Sequence, residues 1–407
     1  MLEGKTIVVI GGGAAGYFSA INAAYNYPEA KIIILEKTGK TLQKVKVSGG
    51  GRCNVTHQCF DHAQLSENYP RGSKELRQAF YQFSVSDVLH WFKKHDVELV
   101  AENDHRMFPS TNSSQTIINC FENTLKQLGG KVFMHSEVIK ISKKEDFFTL
   151  HLKSGDELLA HKIIVTAGGF NQGSGYHFLS DFKLNIIQPL PSLFTFNLED
   201  KKISKLMGLS VAQASVKIKN SIFQNEGPLL ITHWGLSGPA VLRLSAFSAV
   251  HLASLNYIFD IEVNWNTNYT VASLKQYLIH LKNTGSKIWS SLYTELGIPK
   301  RLYEYLLGEC AINDSKKLAE TNNKLIEQLS AMICAQTFRI KGKTTFKEEF
   351  VTCGGIDLKE INFKTMECKK VPGMYFAGEI LNIDGVTGGF NFQAAWTTAF
   401  IAAQLKT

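Results

Sequence analysis

Residues Thr6 to Ile10, TIVVI, form a β-branched run that leads at once into GGGAAG, where Gly11, Gly13 and Gly16 satisfy G-x-G-x-x-G. YFSAINAAYNY then reads as a helix of small residues stopped by Asn26, Tyr27 and Pro28, and KIIILE as a second buried strand ending on Glu36. Strand, glycines, helix, strand and acid in this order predict a βαβ dinucleotide-binding unit. Gly11 permits the tight turn, Gly13 lets a pyrophosphate approach the backbone, and Gly16 lets the helix lie close on the sheet. The helix start offers unpaired N–H groups and the positive end of its dipole to the phosphates. Glu36, 20 residues past Gly16, is placed to accept bonds from the adenosine ribose hydroxyls. GKT at Gly39 and at Gly342 lacks the upstream glycine that a P-loop requires.

FAD and NAD proteins share this fingerprint, and two further segments favour a flavin. Between Lys37 and Arg52 stand Lys37, Lys40, Lys44, Lys46 and Arg52 with no acid, ending VSGGGRCNVTH. Five cations would neutralise phosphate charge, while Gly49, Gly50 and Gly51, followed by Arg52 and Asn54, would let the backbone pass a flat ligand, so a cofactor-contacting loop is predicted. Cys53 has no partner cysteine or recognisable base and is expected to be a packed thiol. Near the C-terminus MYFAGE predicts a short strand stopping at Gly378 and Glu379, and a helix starts at about Asn391 after Gly388 and Gly389. Glu379 could bind ribityl hydroxyls. The helix start could face the pyrimidine edge of an isoalloxazine, where negative charge builds on reduction. An NAD enzyme has no need of such a return.

Composition bounds the rest. At roughly 150 residues per domain, 407 residues predict two or three units. No apolar run approaches the ~20 residues that cross a bilayer, and TIVVIGGG is too short for a signal peptide, so a soluble cytoplasmic protein without a membrane partner is expected. Seven scattered cysteines without a CxxC pair indicate neither a disulfide framework nor a metal site. The charge is 44 − 36 = +8, which suits an anionic small molecule as well as a nucleic acid.

GGGAAG with Glu36 and Lys37, SGGGRCNVT from Ser48, RMFP at Arg106, THWGLSGPAVLRLS from Thr232, FVTCGGI from Phe350, TMECK from Thr365 and YFAGEILNIDGVTGGFNFQAAW from Tyr375 span nearly the whole chain. In these blocks the chain resembles the BaiN/YhiN-like flavoproteins, a family of bacterial NAD(P)/FAD-dependent oxidoreductases. The resemblance implies an α/β fold with a Rossmann-like FAD-binding domain of the two-dinucleotide type, interrupted by an inserted domain. It also implies reductase activity, which in one member is a bile-acid enoyl reduction. The chain departs from the family at VTAGGFNQGSGYHFLSD from Val165, where ATGG is usual, and at Asn382, where Asp is commoner. The implied cofactor contacts are Gly11, Gly13, Ala14, Ala15, Gly16, Glu36, Lys37, Lys44, Gly50, Gly51, Arg52, Cys53, Asn54, Val138, Ala167, Gly168, Gly378, Glu379, Asp384, Gly388, Gly389, Phe390 and Asn391.

The FAD domain is then expected over 1–190 and 336–407, with the insert at 191–335. Within the insert SVKIK and YIFDIEV alternate as half-buried strands, predicting a β unit over about 191–266. Val271, Leu274, Leu278 and Leu281, then Leu318, Leu325, Ile326, Leu329 and Ile333, recur at helical spacing and predict a helical part over about 267–335 with its own core. The polar faces of these helices mix Lys with Glu and Asn, so a nucleic-acid partner is not expected. His233 is the candidate for protonating a substrate, although His233 and Trp234 could simply anchor the insert. The expected activity passes hydride from NADH or NADPH, bound transiently because no second G-x-G-x-x-G exists, through flavin N5 to an unsaturated or carbonyl-conjugated small molecule. A flavin-dependent RNA-modifying enzyme and a non-catalytic FAD-binding protein are the two other readings.

Overall fold

In a computed structural model, which describes residues 4–285, 287–344 and 351–406, β1 (Thr6–Ile10) and β2 (Lys31–Leu35) pair in parallel with Thr6 opposite Lys31. The helix α1 (Ala14–Asn26) connects them. β1 also pairs in parallel with Lys162–Val165, which pairs with Met374–Phe376, while β2 pairs with Lys131–Phe133. The order from one side is therefore third, second, first, fourth, fifth in the chain, with Glu367–Cys368 and Ile361–Asn362 added antiparallel at the far edge. This is the α/β Rossmann arrangement. The chain runs outward in both directions from β1, and such sheets bind ligands beyond the carboxyl ends of the strands at that switch point. β1 and β2 are continuous apolar runs because the sheet is covered on both faces: Ile7, Val8, Val9, Ile33 and Ile34 have no exposure. The small residues of α1 allow the C-terminal helix Phe390–Ala402 to pack on it, with Phe18 and Trp396 ring centroids 5.2 Å apart.

Two compact units emerge, one of Met1–Ser192 with Lys347–Thr407 and one of Leu193–Phe346. The second boundary thus lies beyond the expected 335/336, because Gln336–Thr344 is a strand of the inserted unit. That unit is a closed barrel in the order Thr195–Leu198, Gly235–Ser237, Gln224–Ile231, Ser210–Ile218, Ile258–Asn264 and Gln336–Thr344. Two of these strands were expected from SVKIK and YIFDIEV, and Ile258–Asn264 alternates exposed and buried residues as a half-buried strand should. The helices Val271–Thr284 and Asn323–Cys334 were also expected, but they do not form a separate core. Leu274, Leu278, Ile326 and Leu329 join Phe196, Val216, Ile261 and Ile340 of the barrel in one continuous apolar cluster. No described helix is long and apolar enough to cross a membrane.

Candidate active site

The glycine turn after β1 has the geometry the fingerprint demands. Gly11 leaves the strand at φ +108°, and a Cβ there would stand 2.4 Å from the Thr166 carbonyl oxygen. A Cβ on Gly16 would meet the Gly11 carbonyl at 1.9 Å, so only glycine lets α1 approach the strand end. Gly13 differs: a Cβ there meets no atom within 4 Å, and as the N-cap of α1 it supplies no side-chain acceptor. The first-turn N–H groups of Ala14, Ala15 and Gly16 have no side-chain cap, which leaves them available to an anion. Glu36 stands at the same turn. Its Oε2 accepts from the Gly12 N–H at 2.8 Å, and its Oε1 accepts from the N–H and hydroxyl of Thr38, each at 2.8 Å. Its backbone carbonyl accepts from the Ser136 N–H at 2.8 Å, two residues before Val138 opens the strand Val138–Lys144. Lys37 leans away, 5.4 Å over the Phe170 ring.

The basic stretch is not a plain loop. Gln43–Gly51 begins as a helix, α2, and breaks where Ser48 turns extended and Gly49, Gly50 and Gly51 take positive φ. A Cβ on Gly50 or Gly51 would meet no atom within 4 Å. Lys44 is ion-paired with Glu379, whose Oε1 also accepts from the Thr352 N–H at 3.1 Å, so two expected contacts 335 residues apart meet. Arg52 has protein partners: Nη1 lies 2.6 Å from Glu102 Oε1 and the guanidinium sits 4.0 Å over Phe108. Cys53 is the packed thiol expected, fully buried at φ +64°, with its ionisation pushed up to about 12 by that burial. Asn54 is buried against the C-terminal turn. With its amide oxygen facing the Gly389 N–H at 2.9 Å, its nitrogen faces the Thr56 carbonyl at 3.0 Å.

The C-terminal glycine segments and the turn after Val165 lie near the same strand ends. Ala167 and Gly168 follow Lys162–Val165, and Gly168 is left-handed with open space at its Cβ. Gly378, at φ +77°, abuts Ala15, where a Cβ would stand 2.9 Å from the alanine methyl, so the two chain ends touch at the switch point. Gly388 and Gly389 are left-handed and lead into Phe390–Ala402, which has no side-chain cap. The Phe390 ring stacks on His57 at 4.6 Å. Two expected contact residues are engaged within the protein itself. Asn391 closes its own turn, its Oδ1 accepting from the Gly385 N–H and its Nδ2 donating to the Gly385 carbonyl, each at 2.8 Å. Asp384 has no exposure; Arg71 pairs with both of its oxygens and the Ser192 hydroxyl donates to it, while burial pushes its carboxyl above the usual range. Its carboxylate shapes the loop from inside.

Sequence reasoning missed Arg71, Ser192, His57 and Tyr69, whose hydroxyl donates to the Phe390 carbonyl at 2.7 Å. His57 Nδ1 lies 3.1 Å from the Gly388 carbonyl, so that nitrogen carries the proton, and burial lowers the ring's basicity. None of the four stands in a recognisable motif; VTH after SGGGRCN was the nearest signal. His233 belongs to the inserted unit, exposed on the turn between two barrel strands with its ring 4.0 Å from Trp234. Of the block read as FVTCGGI, Phe350 lies outside the described residues. Among the described residues no group of three or more His, Cys, Asp or Glu side chains could hold a metal ion.

The HI0933-like protein Rossmann domain pattern matches residues 5–405. The chain belongs to that family. The protein is accordingly an FAD-dependent oxidoreductase, as its motifs led one to expect. It is similar to the ribosomal RNA dihydrouridine synthase of Escherichia coli, 29% identical over 99% of this chain and 98% of that one. It is also similar to the 3-dehydro-bile acid delta(4,6)-reductase of Clostridium scindens, 25% identical over 98% of each. Among solved structures, the 3-ketosteroid delta1-dehydrogenase of Sterolibacterium denitrificans shares the fold, with a TM-score of 0.51 and 11% identity over 98% of this chain and 99% of that one. The HI0933-like residues fit FAD: the open space at Gly13, the uncapped start of α1 and the Glu36 carboxylate are the parts that an adenosine diphosphate needs.

Proposed function

We propose that the protein reduces a carbon–carbon double bond conjugated with a carbonyl, that uridine in ribosomal RNA is the substrate, and that NADH or NADPH is the transient electron donor. Bound FAD supplies hydride transfer through its N5. The chain's own groups bind and orient it: the first turn of α1 takes the diphosphate, Glu36 the adenosine ribose, and Glu379 with Lys44 the ribityl side. The uncapped start of Phe390–Ala402 would face the pyrimidine edge of the bound flavin, where its dipole would stabilise negative charge on the reduced ring.

The observation that carries the substrate is where the charge lies. Residues 193–346 hold 17 Lys+Arg against 11 Asp+Glu, 17 − 11 = +6, whereas the remainder holds 27 against 25, or +2. Three quarters of the net charge thus sits on the inserted unit, which the resemblance to the RNA-acting relative covers from end to end. Such a unit attracts a polyanion far more strongly than a small molecule carrying a single charge or none. On this point the reading departs from the small-molecule, nucleic-acid-free expectation drawn from sequence. The substrate bond itself is the kind expected: uracil C5=C6 is conjugated with the C4 carbonyl. A conjugated steroid enone is the second reading, favoured by the full-length likeness to the bile-acid reductase.

The test is to purify the protein, record its visible spectrum, add NADH or NADPH without oxygen, then supply unmodified ribosomal RNA transcript and look by mass spectrometry for uridines that have gained two hydrogens. Bleaching by nicotinamide without any change in the RNA, together with turnover of a conjugated steroid enone, would move the assignment to the second reading.

A further inference from the structure

Apart from the glycine turn, the FAD-binding unit carries an open groove of about 340 Å3 lined by three lysines from separate stretches. Lys359 lies on the turn Leu358–Glu360, Lys364 follows the strand Ile361–Asn362, and Lys369 follows Glu367–Cys368; all three are exposed. Lys369 Nζ donates to the Lys359 carbonyl at 2.8 Å, tying two of them together, and the Lys364 N–H donates to Asn362 Oδ1 at 3.1 Å within its own turn. The facing wall is the helix Ser73–Ala79, which contributes Gln78 and one acid, Glu75. Three cations against one carboxylate leave the groove positive.

At its rim the chain presents an aromatic ring to water. The Tyr81 N–H donates to the Gln78 carbonyl at 3.3 Å, and the Gln82 side chain donates to the Lys364 carbonyl at 3.3 Å. Tyr81 is therefore held between two residues tied to the groove walls. Its side chain is 75% exposed, and its ring is steadied edge-on against His62 with centroids 4.7 Å apart. A rigid aromatic face beside a positive groove is the pairing by which proteins hold an unpaired nucleic-acid strand: cations track the phosphates and the ring stacks on a base. An acidic peptide would use the lysines but has no flat ring system for Tyr81. The rings also connect the rim to the site, through His62 to Phe80, Phe80 to Tyr69 and Tyr69 to Phe390, at 6.3, 5.9 and 6.1 Å.

We propose that the Lys359–Lys364–Lys369 groove with Tyr81 at its rim is a docking surface for single-stranded RNA. The inference rests on the RNA reading of the function and adds where the strand flanking the target uridine lies. The experiment uses the full-length, FAD-loaded protein and a fluorescent U-rich RNA oligonucleotide, with affinity measured across a salt series. Changing all three lysines to Ala should weaken binding and flatten the logarithmic salt dependence by roughly 2, as expected for three single-strand phosphate contacts at about 0.7 each. Tyr81→Ala should weaken binding about tenfold with the salt dependence intact, and Tyr81→Phe should restore it. Flavin reduction by nicotinamide should be unchanged in every variant. Wild-type affinity and salt dependence in the lysine variant, an unchanged affinity in Tyr81→Ala, or equal competition by polyglutamate would each overturn the proposal while leaving an RNA substrate intact. A wild-type protein that binds no RNA even at low salt would remove both.

Discussion

Replacing Arg71 by Met should destabilise the FAD-binding unit by about 3–5 kcal/mol near neutral pH, the cost typical of leaving a buried charge without its partner. Asp384 has no exposure, and among the described residues Arg71 is its cationic partner by contact: Nε stands 2.5 Å from Oδ1, and Nη2 reaches both Oδ2 and, at 2.8 Å, the Ser192 hydroxyl. Two charge-assisted bonds worth about 1.5–3 kcal/mol each disappear with the guanidinium, and the Ser192 hydroxyl remains to solvate the carboxylate. The pH dependence has a definite sign. Burial already holds the Asp384 carboxyl above its ordinary value with Arg71 in place, and without it the carboxyl rises further. A carboxyl raised in the folded state binds more protons than the unfolded chain does, so stability falls as pH rises from the unfolded toward the folded value. The deficit of Arg71→Met should therefore be largest above that window and shrink as pH is lowered through it. Urea unfolding followed by hydrogen exchange of residues 374–402 reads this unit alone. The double variant Arg71→Met with Asp384→Leu should be more stable than Arg71→Met. A loss under about 1 kcal/mol for the single variant, or a double variant no better than the single, would refute the account of an enclosed, compensated charge.

Gly13→Ala should fold with an unchanged melting temperature yet retain flavin poorly, because the added methyl meets open space meant for the diphosphate. Gly16→Ala should instead lower the melting temperature, its Cβ falling 1.9 Å from the Gly11 carbonyl; equal behaviour of the two variants would argue against a ligand at the turn. Glu36→Ala removes the acceptor of the Gly12 and Thr38 N–H groups and should lower flavin occupancy after gel filtration, and full occupancy would count against its ribose role. Of the cysteines, Cys59 alone is half-exposed, so alkylation of the native protein followed by peptide mass mapping should label it first and Cys53, with its thiol held neutral up to about 12, last; early modification of Cys53 would contradict its packing.

What local rules could reveal, the chain revealed. Gly11 and Gly16 sit where backbone atoms crowd any side chain, and β1, α1 and β2 follow from a periodicity that no distant contact alters. The glycines after Val47 did not disclose the helix α2 before them, since glycine marks a break without saying what precedes it. Other features depend on partners that sequence distance hides. The barrel is closed by Gln336–Thr344, which pairs with Ile258–Asn264 across the helices between them, and this moved the domain boundary and merged two expected cores into one. Arg71 meets Asp384 across 313 residues, and Arg52 meets Glu102 and Phe108, so the identity of a cation said nothing of whether a phosphate or a carboxylate would receive it. The +8 charge was countable from the start, but its concentration on one unit became visible only when folding showed which residues that unit contains, because charge adds along a chain without regard to where the chain goes.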